Sequence, residues 1–166
     1  RLPEQWRQTQ VPALDAQASS ADQTLPEIPR QTLAWRLKGA PEAGASTLVL
    51  LHGSPGRGSD FRALLQALPP DLGVLVVDLP GFGASRPLGP DLSARGAALQ
   101  VNALLDSLEL ESCHLLGWSM GGAVATELAQ LNPDRAQSLY LLASDRVGFE
   151  TVDLHRIDAR HDPHRR

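Results

Sequence analysis

Leu115-Leu116-Gly117-Trp118-Ser119-Met120-Gly121-Gly122 is the stretch on which the fold turns. It reads as a strand that runs into G-x-S-x-G and leaves as a helix. At such a turn strand and helix come so close that only glycine fits at the flanking positions. The turn lifts the Ser119 hydroxyl off the sheet, and the Met120 N–H faces the space where a tetrahedral oxyanion would form. That is a nucleophile elbow, with Ser119 as candidate nucleophile. At average usage, three fixed Gly and Ser positions match by chance in roughly one chain in twenty of this length. The motif needs company.

Two segments upstream supply it. Leu48-Val49-Leu50-Leu51 runs into His52-Gly53-Ser54-Pro55-Gly56, and Val74-Leu75-Val76-Val77 into Asp78-Leu79-Pro80-Gly81-Phe82-Gly83-Ala84-Ser85. Each is a buried-type strand ending abruptly in a glycine-rich turn. Helical periods lie between them. Phe61, Leu64, Leu65 and Leu68 form one stripe, stopped by Pro69-Pro70, with Ser59 or Asp60 as cap. Ala97, Val101, Leu104, Leu105 and Leu108 form another, with Asp91 or Ser93 as cap. The helix after Ser119 runs to Leu131 before Asn132-Pro133, and residues 138–142 are a further strand. The expectation is α/β: a doubly wound, mostly parallel sheet in which 47–51, 74–77, 113–116 and 138–142 are adjacent strands. Ligands in such sheets bind beyond the carboxyl ends of the strands. His52-Gly53, Asp78, Ser119 and Ala143-Ser144-Asp145 all fall at that rim.

Outside this body, residues 1–29, with four prolines, read as an extended, loosely packed arm. Gln31 to Lys38 alternates with period two and reads as a half-exposed antiparallel edge strand. Residues 30–147 form the core. Residues 148–166 read as the start of a lid or a charged tail.

Bulk composition narrows the function classes. The 166 residues suit one domain, and 42% apolar residues with a net charge of −4 suit a globular chain. The 15 Lys and Arg are scattered among 19 acids, so nothing suggests nucleic acid. Cys113, the one cysteine, suits a buried apolar role and no disulfide scaffold. No run approaches a membrane span, and no intact signal peptide is present. That favours the cytoplasm. The first residue is Arg1, so an exported or anchored form stays open, with a leader or membrane anchor before residue 1.

His52 to Gly56, Asp78 to Ser85, Gly117 to Gly122 and Asn132 to Leu139 together resemble the alpha/beta-hydrolase fold. They are most similar to its lid-bearing esterase and proline-iminopeptidase-like group, over about Gln31 to Phe149. The resemblance implies a lid after the strand near Leu142, then two strands followed by the acid and the histidine. The chain ends before either appears. It is therefore expected to be truncated before the last strands: an incomplete catalytic body that turns over poorly alone and exposes apolar surface where later strands pack.

Each candidate residue has a plain alternative. Ser119 could be an ordinary turn serine. Ser54 and Met120 are candidate oxyanion donors through their backbone N–H groups, since Pro55 has none. His52 could be a base, but a ring just before the oxyanion glycine braces that loop more naturally, as the resemblance also implies. Asp78 is expected to hold its turn by accepting backbone N–H bonds. Asp145 is a candidate acid, or else a loop acid pairing with Arg146. His155, His161 and His164 lie in a charged tail with no strand to hold them at the ~3 Å a base needs. His114 is expected in the core or facing a helix. Trp118 and Phe82, with Phe149, could wall an apolar pocket or simply pack.

The function expected is serine hydrolysis of a small or medium apolar ester, or a related carbonyl compound, through an acyl-enzyme. It needs no cofactor and no metal, and its partner is the small-molecule substrate. One alternative is a proline-iminopeptidase-like peptidase. The other is a catalytically incomplete fragment that binds a second chain along the bare edge of its sheet.

Overall fold

Residues 47–51 and 74–77 are apolar at nearly every position, so both of their faces must be covered, as in an inner strand of a parallel sheet. The computed structural model, which describes residues 6–12, 30–39, 47–85, 93–144 and 150–152, meets that condition. Its strands are β1 (Arg7–Pro12), β2 (Arg30–Lys38), β3 (Thr47–Leu51), β4 (Val74–Val77), β5 (Cys113–Trp118), β6 (Ala136–Leu142) and β7 (Glu150–Val152). They form one sheet in the order β1-β2-β4-β3-β5-β6-β7. β4, β3, β5 and β6 are parallel neighbours, with Leu48 opposite both Val74 and His114 and Leu116 opposite Tyr140. These are the four runs expected to lie side by side. β1, β2 and β7 add antiparallel flanks.

Three helices are described: α1 (Arg62–Ala67), which continues a 3-10 turn at Gly58–Phe61, then α2 (Ala94–Ser107) and α3 (Met120–Leu131). Strand pleating sends alternate residues to opposite faces. Val49, Leu51, Leu75, Val77, Cys113 and Leu115 meet Val101, Leu104, Leu105, Val124 and Leu128 of α2 and α3 in the larger core. Leu50, Val74 and Val76 meet Phe61 and Leu65 in a smaller one. The sheet is thus covered from both sides. Ser93 caps α2 by accepting the Gly96 N–H at 3.0 Å. Asp60 accepts the Arg57 N–H at 2.9 Å and closes the turn ahead of α1. Arg135, on the link from α3 to β6, donates to Asn102 Oδ1 at 2.8 Å and pairs with Asp106, which fastens that link to α2. Cys113 is buried, and that burial pushes its thiol pKa up to about 11.

At the margins one expectation changes and two segments prove to contain strands. Part of the N-terminal arm is a strand: β1 pairs with β2 from Arg7 opposite Trp35 to Pro12 opposite Arg30. With β1 outside it, β2 is an inner strand and not a half-exposed edge. Leu33, Ala34, Trp35 and Arg36 are all buried, and the Arg36 guanidinium lies 5.4 Å from the centre of the Trp6 ring. An arginine stacked on an indole can occupy a covered face that its charge alone would forbid. On the other side, Glu150–Val152 extends the sheet beyond β6 with Tyr140 opposite Thr151, where a lid or tail was expected to begin.

His114 also differs from expectation. It lies on the face away from α2 and α3, where its Nδ1 is 2.7 Å from Ser138 Oγ. With Leu48, Leu72, Leu116 and Tyr140 it lines an open groove of about 290 Å³.

Candidate active site

The turn between β5 and α3 is held by contacts that leave no room for side chains. A Cβ on Gly117 would lie 2.3 Å from the Gly121 oxygen, and one on Gly121 would lie 2.1 Å from the Leu51 oxygen. Ser119 between them has φ 52 and ψ −118, a left-handed backbone that a residue with a side chain adopts only under constraint. The constraint is visible. The Ser119 N–H donates to Leu142 O at 2.8 Å, and the Gly122 N–H donates to Ser119 O at 2.8 Å. Met120 is the first residue of α3, so its N–H has no acceptor within the helix. Ser119 itself is half-buried, and among the described residues no hydrogen bond engages its hydroxyl.

The loop after β3 lies directly against this serine. A Cβ on Gly53 would stand 3.2 Å from Ser119 Cβ and 3.7 Å from Cδ2 of the Trp118 ring. Ser54 follows, exposed, and joins Pro55 through a cis peptide.

His52 is fully buried. Its Nδ1 lies 2.7 Å from Gly53 O, and its Nε2 accepts the Leu79 N–H at 2.9 Å. An imidazole that accepts at Nε2 is neutral and carries its proton on Nδ1. Both nitrogens are therefore occupied, and neither is placed to take a proton from Ser119.

Asp78 is buried too. Its carboxylate accepts the Gly58 N–H at 2.6 Å and the Ala84 N–H at 2.8 Å. The Ser85 hydroxyl donates to Asp78 O at 2.5 Å and accepts the Ala34 N–H at 2.9 Å. Ser85 was not singled out from sequence. The only signal for it was its place at the close of the glycine-rich turn after β4. The loops after β3 and β4 are thus laced together behind Gly53.

Of the remaining candidates, Trp118 is exposed beside Gly53, and Phe82 meets the His52 ring edge-on at 5.5 Å. Ser144 packs against Gly122, where a Cβ would be 2.7 Å from its own. Asp145, Phe149, His155, His161 and His164 lie outside the described residues. Among the described residues no group of acidic, histidine or cysteine side chains could hold a metal, and no helix is long and apolar enough to cross a membrane.

Burial lowers the His52 pKa from its ordinary 6.5, against smaller opposing effects of the Gly53 carbonyl, Asp78 and Asp60. Among the described residues, those two carboxylates are the charged groups that act on the ring. β5 ends in Gly117-Trp118 and α3 opens with Met120-Gly121-Gly122-Ala123, none of them ionisable. Below the ordinary value the unfolded chain binds a proton that the folded chain refuses. The stability carried by the neutral ring is therefore complete above about pH 6.5 and is lost as the pH falls through the lower folded value. Thermal unfolding should show the melting temperature of the wild type falling more steeply than that of His52→Gln between about pH 7 and about pH 5. Parallel curves would refute this.

Residues 46–164 match the family model described as alpha/beta hydrolase fold. The chain belongs to that family. Among its relatives, a pimeloyl-[acyl-carrier protein] methyl ester esterase of Aeromonas hydrophila is 45% identical over 98 residues, which are 58% of this chain and 37% of that protein. The dihydrolipoyllysine-residue acetyltransferase component of the acetoin cleaving system of Pseudomonas putida is 37% identical over 122 residues, 74% of this chain and 32% of that protein. A thermophilic esterase of Thermogutta terrifontis superposes with a TM-score of 0.66 at 26% identity, over 81% of this chain and 44% of that one. The alpha/beta hydrolase described here thus matches less than half the length of each.

Proposed function

We propose that this alpha/beta hydrolase transfers an acyl group from an ester to water by way of Ser119. The serine oxygen attacks the carbonyl carbon, and the Ser54 and Met120 N–H groups hold the negative oxygen that forms. Expulsion of the alcohol leaves an acyl-serine, which water then cleaves. A serine hydroxyl needs a base, and both His52 nitrogens are already engaged. In this proposal the base is a histidine outside the described residues, held by an acid. Asp145 remains a candidate for that acid.

One observation carries the proposal. A serine in left-handed backbone stands at the end of an inner parallel strand, with the glycine of the neighbouring loop against its Cβ. An ordinary turn serine has no need of that strain. The names of the two curated relatives, a methyl ester esterase and an acetyltransferase component, are both consistent with acyl transfer. The exposed Trp118 indole beside Gly53 favours a small or medium apolar acyl or alcohol group.

A fluorophosphonate tests the assignment directly, because it phosphorylates an activated serine and leaves ordinary ones alone. After digestion, mass spectrometry of the natural protein should find the adduct on Ser119. An adduct on another residue, with Ser119 unmodified, would remove the proposal.

A further inference from the structure

The structure gives His52 a narrower task than bracing. A trans peptide is planar, so its C=O and N–H point in opposite directions and turn together. The Gly53 carbonyl and the Ser54 N–H belong to one such plane. Whatever holds the Gly53 oxygen therefore aims the Ser54 N–H.

That oxygen is held by His52 Nδ1 at 2.7 Å and backed by Gly56, where even a Cβ would come within 2.6 Å of it. The ring cannot swing freely, because the Leu79 N–H bonds its other nitrogen at 2.9 Å and the Phe82 ring packs against it in a T-shaped contact. Leu79 is fixed in turn. It follows Asp78, whose carboxylate ties the Gly58 and Ala84 amides, and whose own N–H donates to Ala34 O of β2 at 2.9 Å. A chain of contacts thus runs from the inner sheet through one imidazole to one peptide plane beside Ser119.

We infer that His52 is a positioning residue that acts only as the Nδ1–H tautomer, its ring N–H on the Gly53 carbonyl aiming the Ser54 N–H at the oxyanion formed on Ser119. This rests on the acyl-transfer proposal and assigns the two ring nitrogens separate tasks. Nδ1 sets the aim of the donor. Nε2 fastens the ring to the loop after β4.

Two amide substitutions separate the tasks. His52→Asn places an N–H near the Nδ1 position, where it can still donate to Gly53 O but not reach Leu79. His52→Gln extends towards Leu79 and gives up the bond to Gly53. Hydrolysis of p-nitrophenyl acetate by the full-length protein is the readout, at a temperature where circular dichroism shows both variants folded. Loss of a well-aimed oxyanion donor costs about 10²–10³ in kcat. His52→Gln should lose kcat on that scale with little change in KM, and His52→Asn should stay within about tenfold of wild type. Equal losses in the two variants, or none in either, overturn the inference.

A second measurement needs no variant. The ring nitrogen resonances of His52 at neutral pH should show the proton on Nδ1, and a proton on Nε2 overturns the inference directly. Ser119→Ala keeps the two proposals apart. Turnover surviving in that variant defeats the acyl-transfer proposal itself. Turnover lost there, with the two His52 variants alike, defeats only the assignment of His52.

Discussion

Replacing Ser119 with alanine in the full-length protein should abolish ester hydrolysis and leave the fold intact. The change removes one oxygen atom that, among the described residues, takes part in no hydrogen bond, so no buried donor or acceptor is orphaned. The two bonds that shape the turn, Ser119 N–H to Leu142 O and Gly122 N–H to Ser119 O, are made by backbone atoms and survive. Alanine keeps the Cβ already present, so the cost of the φ of 52 is nearly unchanged. Chemistry suffers instead. Loss of an activated serine costs on the order of 10⁴–10⁶ in kcat, the residue being whatever the oxyanion donors achieve alone. The checks are kcat on p-nitrophenyl esters and the thermal midpoint. A variant that hydrolyses within about tenfold of wild type, at the same midpoint, would mean that another group attacks.

The parts of the fold that could be read from sequence are those with local causes. The β5–α3 turn is one, because the glycines at 117 and 121 are required by backbone contacts of 2.1 to 2.6 Å that a Cβ would make there, while at 122 a Cβ would meet the Ser144 side chain at 2.7 Å. β3 and β4 are another, because a run such as Val74-Leu75-Val76-Val77, with every residue buried, has no solvent face to offer. The elements that were missed depend on distant partners. Arg7-Gln8-Thr9-Gln10 carries no strand period. It becomes β1 because β2 offers it a partner, because the Trp35 indole donates to Thr9 Oγ1 at 2.9 Å, and because Val11 is buried. Arg36 reads as a solvent-facing residue until Trp6, thirty positions upstream, covers it.

The candidate site divides in the same way. Ser119, Gly53 and Met120 follow from motifs that constrain their own backbone. The engagement of both His52 nitrogens depends on Leu79, which belongs to a different strand exit, and no spacing rule announces it. Ser85 is similar, since its hydroxyl joins Asp78 O to the Ala34 N–H of β2 across a long sequence separation. What a motif could supply was the residue type. What the fold supplied was the partner.

Gly121→Ala is the substitution expected to do the most damage to the body of the protein. Its new Cβ would lie 2.1 Å from Leu51 O and 2.6 Å from His52 O, and both are backbone atoms. A flexible side chain could turn away, but the end of β3 cannot. Leu51 is fully buried, opposite Val77 on one side and Gly117 on the other. Relief therefore requires α3 to lift off the sheet or β3 to shift against both neighbours. Helix propensity favours alanine by about 1 kcal/mol. Overpacking a rigid contact costs about 3 kcal/mol or more, so the clash decides the sign. In a domain of this size about 3 kcal/mol lowers the melting temperature by roughly 6–12 °C. Catalysis should fall further than stability, because His52, Gly53 and Ser54 continue directly from the strand that is pushed. Measured well below its own melting temperature, the variant should lose kcat by at least about tenfold, while wild type and a surface control such as Glu127→Gln match. A variant of unchanged stability and activity would show that α3 and β3 are not in the contact that this site depends on.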